Sequence, residues 1–371
     1  MKSFEDLRLE RRKRFLNYRE LLLKNSPIDF ASNDYLGLAR STKLKEAFEI
    51  AWHQYEDIRL GSSGSRLLTR NSREVLHLEE QIAHFHRYAA GTLFNCGYMA
   101  NIGVLSAVAT EKDAIFYDTH VHASMHDGMR LSAASRIPFR HQNMQDLESK
   151  LEHIACRGKR FICIESLYST DGTVTSLKEI ARLAQKYQAY LIIDEAHAVG
   201  VWGSEGRGLV DSHEISSKVF ALILTFGKAL GVSGAIVLGS TALKEILTNF
   251  AKSFIYSTAL PRYAITAIQS SYAIFPYLEE ERQSLYERIK HYQELLNSKN
   301  TSQIQIFKIK GNRPCSQAAR ALDAQGFDVR ALLSPTVRLG QECLRVTLHS
   351  YNTADEVNEL YNCLMRIKSD E

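Results

Sequence analysis

From about residue 75 to residue 240 the chain alternates short apolar runs with longer segments in which apolar residues recur every three or four positions. The runs are "GTLFN", "AIFYD", "RFICIES", "AYLIIDE", "VFALILT" and "GAIVLG". Between them lie patterns such as "SLKEIARLAQKYQ", apolar at Leu177, Ile180, Ala181 and Ala184, a spacing that gathers these residues on one helix face. Continuous strand-forming runs alternating with amphipathic helices predict a mainly parallel sheet covered by helices on both faces, an α/β domain.

A long stretch of helical pattern follows, from about 262 to 298, and reads as a connector. Beyond it "IQIFKIKG", "CSQAARALDAQG", "DVRALLSP", "CLRVTLHS" and "TADEVNELYNCLMRIK" alternate strand and helix, enough for a smaller α/β C-terminal domain. The expected organisation is an N-terminal segment (1–50), a large domain (51–260), and a connector helix with a small domain (261–371). A chain of 371 residues exceeds what one core usually serves, which agrees with two domains. Its six prolines leave no room for a proline-rich linker.

Composition adds mainly exclusions. The hydrophobic and charged fractions, 45% and 24%, are those of a globular protein. A formal net charge of +4, spread along the chain apart from "RRKR" (11–14), gives no reason to expect a nucleic-acid partner. The start, "MKSFEDLRLERRKRF", lacks the apolar stretch of a secretory signal, and no run of about 18 apolar residues suits a membrane span, so a cytoplasmic protein is expected. The six cysteines form no CxxC pair, the pattern of reduced thiols.

Ligands of such sheets lie at the carboxyl ends of strands. Five consecutive strand ends carry polar or glycine-rich sequence: "FNCGYMAN", "DTHVHAS", "ESLYSTDG", "DEAHAVG" and "TFGKALG". "DEAH" (194–197) would suit a nucleotide-hydrolysing helicase only with a GxxxxGK[ST] phosphate loop, which the chain lacks. "GSEGRG" (203–208) has the wrong glycine order and position for dinucleotide binding. His120, His122 and His126 have suggestive spacing, but no neighbouring thiolate or carboxylate set completes a zinc site, so no metal is expected.

Carbonyl chemistry by an amine remains. Lys228 stands among glycines and aliphatics in "TFGKALGVSGA", where desolvation disfavours its ammonium form. A lysine so placed can form a Schiff base with pyridoxal phosphate (PLP). The other requirements also fall on strand ends. Asp194 can hold the ring nitrogen protonated, and the N–H groups around Gly97 and Tyr98 can bind phosphate at a helix start. His122 and His197 can stack on the ring and hold its phenolic oxygen. Each of these also has an ordinary structural reading as a cap, a turn glycine or a hydrogen-bonded histidine; their joint occurrence points to a site.

Seven stretches occur in order: "SNDYLGL" (32–38), "GSSGSRL" (61–67), "HAS" (122–124), "STDG" (169–172), "DEAHAVGVWGSEGRG" (194–208), "TFGKALGVSGA" (225–235) and "IYSTALP" (255–261). With them the chain resembles, from about residue 30 to 350, the α-oxoamine synthases, PLP-dependent transferases of fold type I that join an amino acid to an acyl thioester with loss of CO2. The resemblance implies Lys228 as the Schiff-base lysine, Asp194 on the ring nitrogen and His122 on the ring face. It places Ser169 and His197 at the phenolic oxygen, and Gly97, Tyr98 and Thr225 at the phosphate. Thr258 would reach the phosphate from a neighbouring subunit, which implies a homodimer with shared active sites, and Asn33 and Arg345 would bind the amino-acid carboxylate.

Within the family the branch it resembles most condenses L-alanine with a pimeloyl thioester, carried by CoA or a carrier protein, on the way to biotin. Ser65 stands where the glycine-specific 5-aminolevulinate synthases carry threonine. One methyl fewer leaves room for one on the substrate, an effect worth about 1 to 3 kcal/mol, and favours alanine over glycine. "DEAHAVG" and "GKALG" also resemble the glycine-linked 2-amino-3-ketobutyrate CoA ligases, which stand as the alternative. Arg70 and Val75 replace a usual glycine and histidine, and Arg338 turns a usual "TVP" into "TVR"; these departures bear on acyl selectivity.

Overall fold

The computed structural model describes residues 3–21, 27–56 and 59–369, which divide into two compact units. The larger comprises Leu36–Tyr168 and Val174–Glu279. Its seven strands are β1 (Ala90–Phe94), β2 (Ala114–Asp118), β3 (Ser135–Phe139), β4 (Arg160–Glu165), β5 (Ala189–Asp194), β6 (Val219–Thr225) and β7 (Ala235–Gly239). They form one sheet in the order β1-β7-β6-β5-β4-β2-β3. Only β7 runs antiparallel to its neighbours, so β1, β2, β4, β5 and β6 end at the same edge. Leu191, Ile192 and Ile193 of β5 are fully buried, each burial contributing about 1.5 to 3 kcal/mol. This is the predicted α/β architecture.

One strand has no counterpart in the apolar runs. β3, "SRIPF", is an edge strand that buries only Ile137 and Phe139 and tolerates Pro138, whose missing N–H would break an interior ladder. The stretch from 262 to 298 is also two helices, Arg262–Ile274 and Glu279–Leu296, separated by a short turn at Phe275–Tyr277. Pro276 fits the break, because it lacks the N–H that a continuous helix needs, and it stands in the first positions of the short turn, where that N–H is not required.

The unit boundaries differ from those read in the sequence. The Thr42–Trp52 helix packs on the Arg262–Ile274 helix, and both belong to the larger unit. The smaller unit comprises Met1–Tyr35, Ser169–Thr173 and Glu280–Glu371. Its antiparallel sheet has the order β9-β10-β8, from β8 (Ile304–Lys308), β9 (Arg330–Leu332) and β10 (Cys343–Thr347). Ser169–Thr173 is held there by Asn300, whose Nδ2 donates to Asp171 O (2.8 Å). Gly172, at φ 72°, lies so close to Ile304 O that a Cβ would overlap it. Among the described residues no helix is long and apolar enough to cross a membrane.

Glu195, beside the end of β5, is fully buried and accepts the Val210 N–H through Oε1 at 2.8 Å. Gly208, at φ 107°, packs where any Cβ would strike this carboxyl. Burial pushes the Glu195 pKa up from 4.5 to about 8, although the Val210 N–H opposes the shift. The folded chain therefore binds this proton more tightly than the unfolded chain. The associated stability is complete below about pH 4.5 and is lost as pH rises through about 8. Thermal melts from pH 5 to 8 should show a decline in midpoint that is flatter in Glu195→Gln; parallel declines in both proteins would refute this assignment.

Candidate active site

A cavity of about 340 Å³ opens where the strands of the larger unit end, a size usual for small-molecule sites. Asp194, Lys228, His122, His197, Gly97, Tyr98 and Thr225 all line it. Seven of the residues singled out in the sequence, drawn from four separated motifs, thus face one space.

Asp194 closes β5 and is 5% exposed. Its Oδ1 accepts the Ala196 N–H at 2.8 Å and its Oδ2 accepts Asn101 Nδ2 at 2.7 Å. Among the described residues it forms no ion pair. A buried carboxylate stabilised by N–H groups but without a cation is suited to a charged N–H donor from a ligand.

Lys228 follows β6 by three residues, in a loop closed by backbone hydrogen bonds. Phe226 N–H donates to Gly234 O (3.0 Å), Val232 N–H to Phe226 O (2.9 Å) and Gly231 N–H to Lys228 O (2.9 Å). Gly231, at φ 69°, passes so close to the Leu38–Ala39 backbone that a Cβ would lie 2.5 Å from Ala39 N. The small residues around the lysine are therefore what lets this tight return fit. Lys228 itself is half-buried, with Nζ 2.8 Å from His197 Nε2.

His122 caps the Ala123–Leu131 helix, its Nδ1 accepting the Ser124 N–H at 3.2 Å and lying 2.8 Å from Ser124 Oγ. Burial lowers its pKa; the charge of Lys228 acts in the same direction and that of Asp194 opposes it. A neutral ring with Nδ1 accepting carries its proton on Nε2. Tyr98 meets this ring edge-on at 6.1 Å, and the Tyr98 hydroxyl donates to Asp127.

The Gly97–Val108 helix begins beside them without a side-chain cap, so its first N–H groups have no partner within the helix. A Cβ on Gly97 would overlap the Thr225 methyl, and Thr225 Oγ1 is buried without a hydrogen-bond partner among the described residues. Open N–H groups, an unanswered hydroxyl and a glycine that admits close approach make a cradle for a phosphate dianion. With Asp194 and Lys228, the donor set fits PLP: an anion cradle, an acceptor for a ring N–H, and an amine for an aldehyde.

Other expected residues are not among those that line this cavity. Ser65 starts the turn Arg66–Arg70, and its carbonyl accepts the N–H groups of Leu68, Thr69 and Arg70. Thr258 is exposed, and its carbonyl accepts Asn95 Nδ2 at 2.9 Å. Arg70 Nη2 donates to Ser63 Oγ (2.7 Å), Val75 is a core residue, and Arg338 is exposed. The smaller unit holds Asn33, Ser169 and Arg345. Arg345 is 7% exposed and donates from Nε to Ser169 O (2.7 Å), from Nη1 to Thr347 Oγ1 (2.8 Å) and from Nη2 to Asn33 Oδ1 (2.9 Å). The Tyr35 hydroxyl also donates to Asn33 Oδ1 (3.1 Å), and burial pushes its pKa up to about 12. Asn101 and Ser124, which line the cavity beside Asp194 and His122, were given no role from the sequence, although both stand inside quoted motifs, "FNCGYMAN" and "HAS".

Residues 25–364 match the family model described as aminotransferase class I and II. The chain is 37% identical to the 8-amino-7-oxononanoate synthase of Emericella nidulans, over 95% of this chain and 92% of that one. The crystal structure of an 8-amino-7-oxononanoate synthase from Francisella tularensis is similar with a TM-score of 0.80 at 30% identity, covering 92% of this chain and 98% of that one. A serine palmitoyltransferase from S. paucimobilis carrying a PLP adduct shares the fold, with a TM-score of 0.87 at 22% identity over 94% of this chain and 88% of its own. With this fold, this strand-end constellation and these relatives, the chain belongs to the class I and II aminotransferase family, as a PLP-dependent acyltransferase of the α-oxoamine synthase type.

Proposed function

We propose that the protein condenses L-alanine with a pimeloyl thioester to give 8-amino-7-oxononanoate, CO2 and the free thiol, a step of biotin synthesis and one that fits a cytoplasmic setting. The observation that carries this reading is the convergence of Lys228, Asp194, His122 and the Gly97 cradle on one cavity, in a chain whose relatives bear that enzyme's name.

PLP, when bound, supplies an aldehyde for amino groups and a protonated ring that withdraws electrons from the α-carbon. Gly97 and Tyr98 N–H groups and Thr225 Oγ1 hold its phosphate, Asp194 keeps the proton on the ring nitrogen, and His122 covers the ring face. His197 and Ser169 hold the phenolic oxygen. Lys228 Nζ takes the α-proton of alanine and later returns a proton to the same carbon. His197, 2.8 Å from that Nζ, orients it. Arg345, its guanidinium fixed on Asn33, Thr347 and Ser169, binds the alanine carboxylate. Overall one C–C bond forms and the thioester C–S bond and the C–carboxylate bond break; because Lys228 returns its proton to carbon, the leaving thiolate takes one proton from solvent. Exposed Thr258 reaches the phosphate of a second copy, making the working unit a homodimer.

Product formation tests the reading. Purified protein with PLP should release CoA and 8-amino-7-oxononanoate from L-alanine and pimeloyl-CoA. Release only with glycine and acetyl-CoA would replace this substrate pair with that of the ketobutyrate ligases. Lys228→Ala should lose the visible band of lysine-bound PLP and at least about a thousandfold in kcat, since it removes both the covalent anchor and the proton carrier. Gly97→Ala should fold but bind PLP roughly tenfold or more weakly, because the new methyl meets Thr225 at the mouth of the cradle. Unchanged PLP affinity in that variant would remove the phosphate role of this helix start.

A further inference from the structure

Asn101 is 2% exposed in the second turn of the Gly97–Val108 helix. Its Nδ2 lies 2.7 Å from Asp194 Oδ2 and 3.0 Å from Ser124 Oγ. Ser124 is fully buried, and its Oγ lies 2.8 Å from His122 Nδ1. Both protons of one amide are thus committed in fixed directions. Reversal of the amide would turn its carbonyl oxygen toward a buried carboxylate, so the orientation is set by charge. Ser124, accepting from the amide, turns its own hydroxyl proton to His122 Nδ1, which leaves the imidazole proton on Nε2.

We propose that Asn101 is the positioning residue of this site: one buried amide fixes the Asp194 carboxylate on one side and, through Ser124, the orientation and tautomer of the His122 ring on the other. The inference rests on the reading in which Asp194 faces the ring nitrogen and His122 the ring face of PLP. Among the described residues Asp194 is otherwise held only by the Ala196 N–H on Oδ1. Without Asn101 that carboxylate can rotate about its remaining bond, and its grip on the ring proton weakens. His122 loses its link to the same anchor.

A structural amide and a positioning amide differ in what the bound cofactor reports. The titrating groups that line the cavity are Asp194, Glu165, His122, His197, Lys228, Tyr98 and Cys96. A protonated ring nitrogen is a positive charge that lowers the pH midpoint of the visible absorption of lysine-bound PLP. In Asn101→Leu, of similar shape but without donors, the ring is less protonated and that midpoint should rise by about one pH unit. kcat should fall roughly tenfold or more, as for a lost hydrogen bond to a charged group, with KM for pimeloyl-CoA within about twofold of the wild type. Asn101→Leu holoenzyme that melts with the wild type and titrates at the wild-type midpoint would overturn the proposal. If Asn101→Leu does not fold, Asn101→Ser decides in the same way, because its hydroxyl is one atom shorter and cannot span to Asp194. A wild-type protein without a Lys228-dependent visible band would remove the PLP reading itself, and the role of Asn101 with it.

Discussion

Asp194 carries its charge at the floor of a cavity, met by two N–H donors and by no cation of the protein among the described residues. Such an arrangement costs free energy that hydrogen bonds only partly offset, since desolvation of a carboxylate is worth several kcal/mol. The charge becomes useful when a ligand supplies a cationic N–H, and the surrounding groups are arranged around that event. His122 is kept neutral by burial, and Lys228 sits where a neighbouring histidine meets its amine. The phosphate cradle leaves an N-terminal helix dipole and the Thr225 hydroxyl unanswered. Three unsatisfied features of different sign and geometry in one cavity are together the negative of one cofactor.

The sheet makes this possible. Because β1, β2, β4, β5 and β6 point the same way, the residues that follow each of them collect along one edge despite long separations in the chain. Asn101 and Asp194 are hydrogen-bonded across 93 positions. Only backbone turns that glycine permits let these ends stay short, as at Gly231 behind Lys228. The neighbouring Glu195 shows the other use of a strand-end carboxyl: buried beside Gly208 and protonated, it holds a loop rather than a ligand. Adjacent acids in "DEAH" thus meet different surroundings: Asp194 lines the cavity, and Glu195 is buried against the Val210 N–H and Gly208.

The fold and the cofactor constellation were legible because their signals are local. Apolar runs mark interior strands, and the motif residues that line the cavity follow those strands directly. Three features were not. β3 is an edge strand whose alternating burial and proline hide it among loop residues. The Ser169–Thr173 excursion joins the smaller unit through contacts with Asn300 and Ile304, more than a hundred residues away. Asn101 and Ser124 act through tertiary hydrogen bonds, and an asparagine or serine on a helix carries no mark of what its side chain will meet. Ser65 was read as a substrate-binding position that favours alanine; what the structure shows of it is a backbone role, its carbonyl accepting three N–H groups at the start of a turn.

The central claim is that Asp194 exists to hold a protonated ring nitrogen. It is tested most directly by binding PLP, and an analogue in which CH replaces the ring nitrogen, to cofactor-free wild-type protein and to Asp194→Asn. Wild type is expected to prefer PLP by about tenfold or more, and Asp194→Asn to lose that preference, because the two changes remove the same interaction. An equal preference in both proteins would contradict the claim.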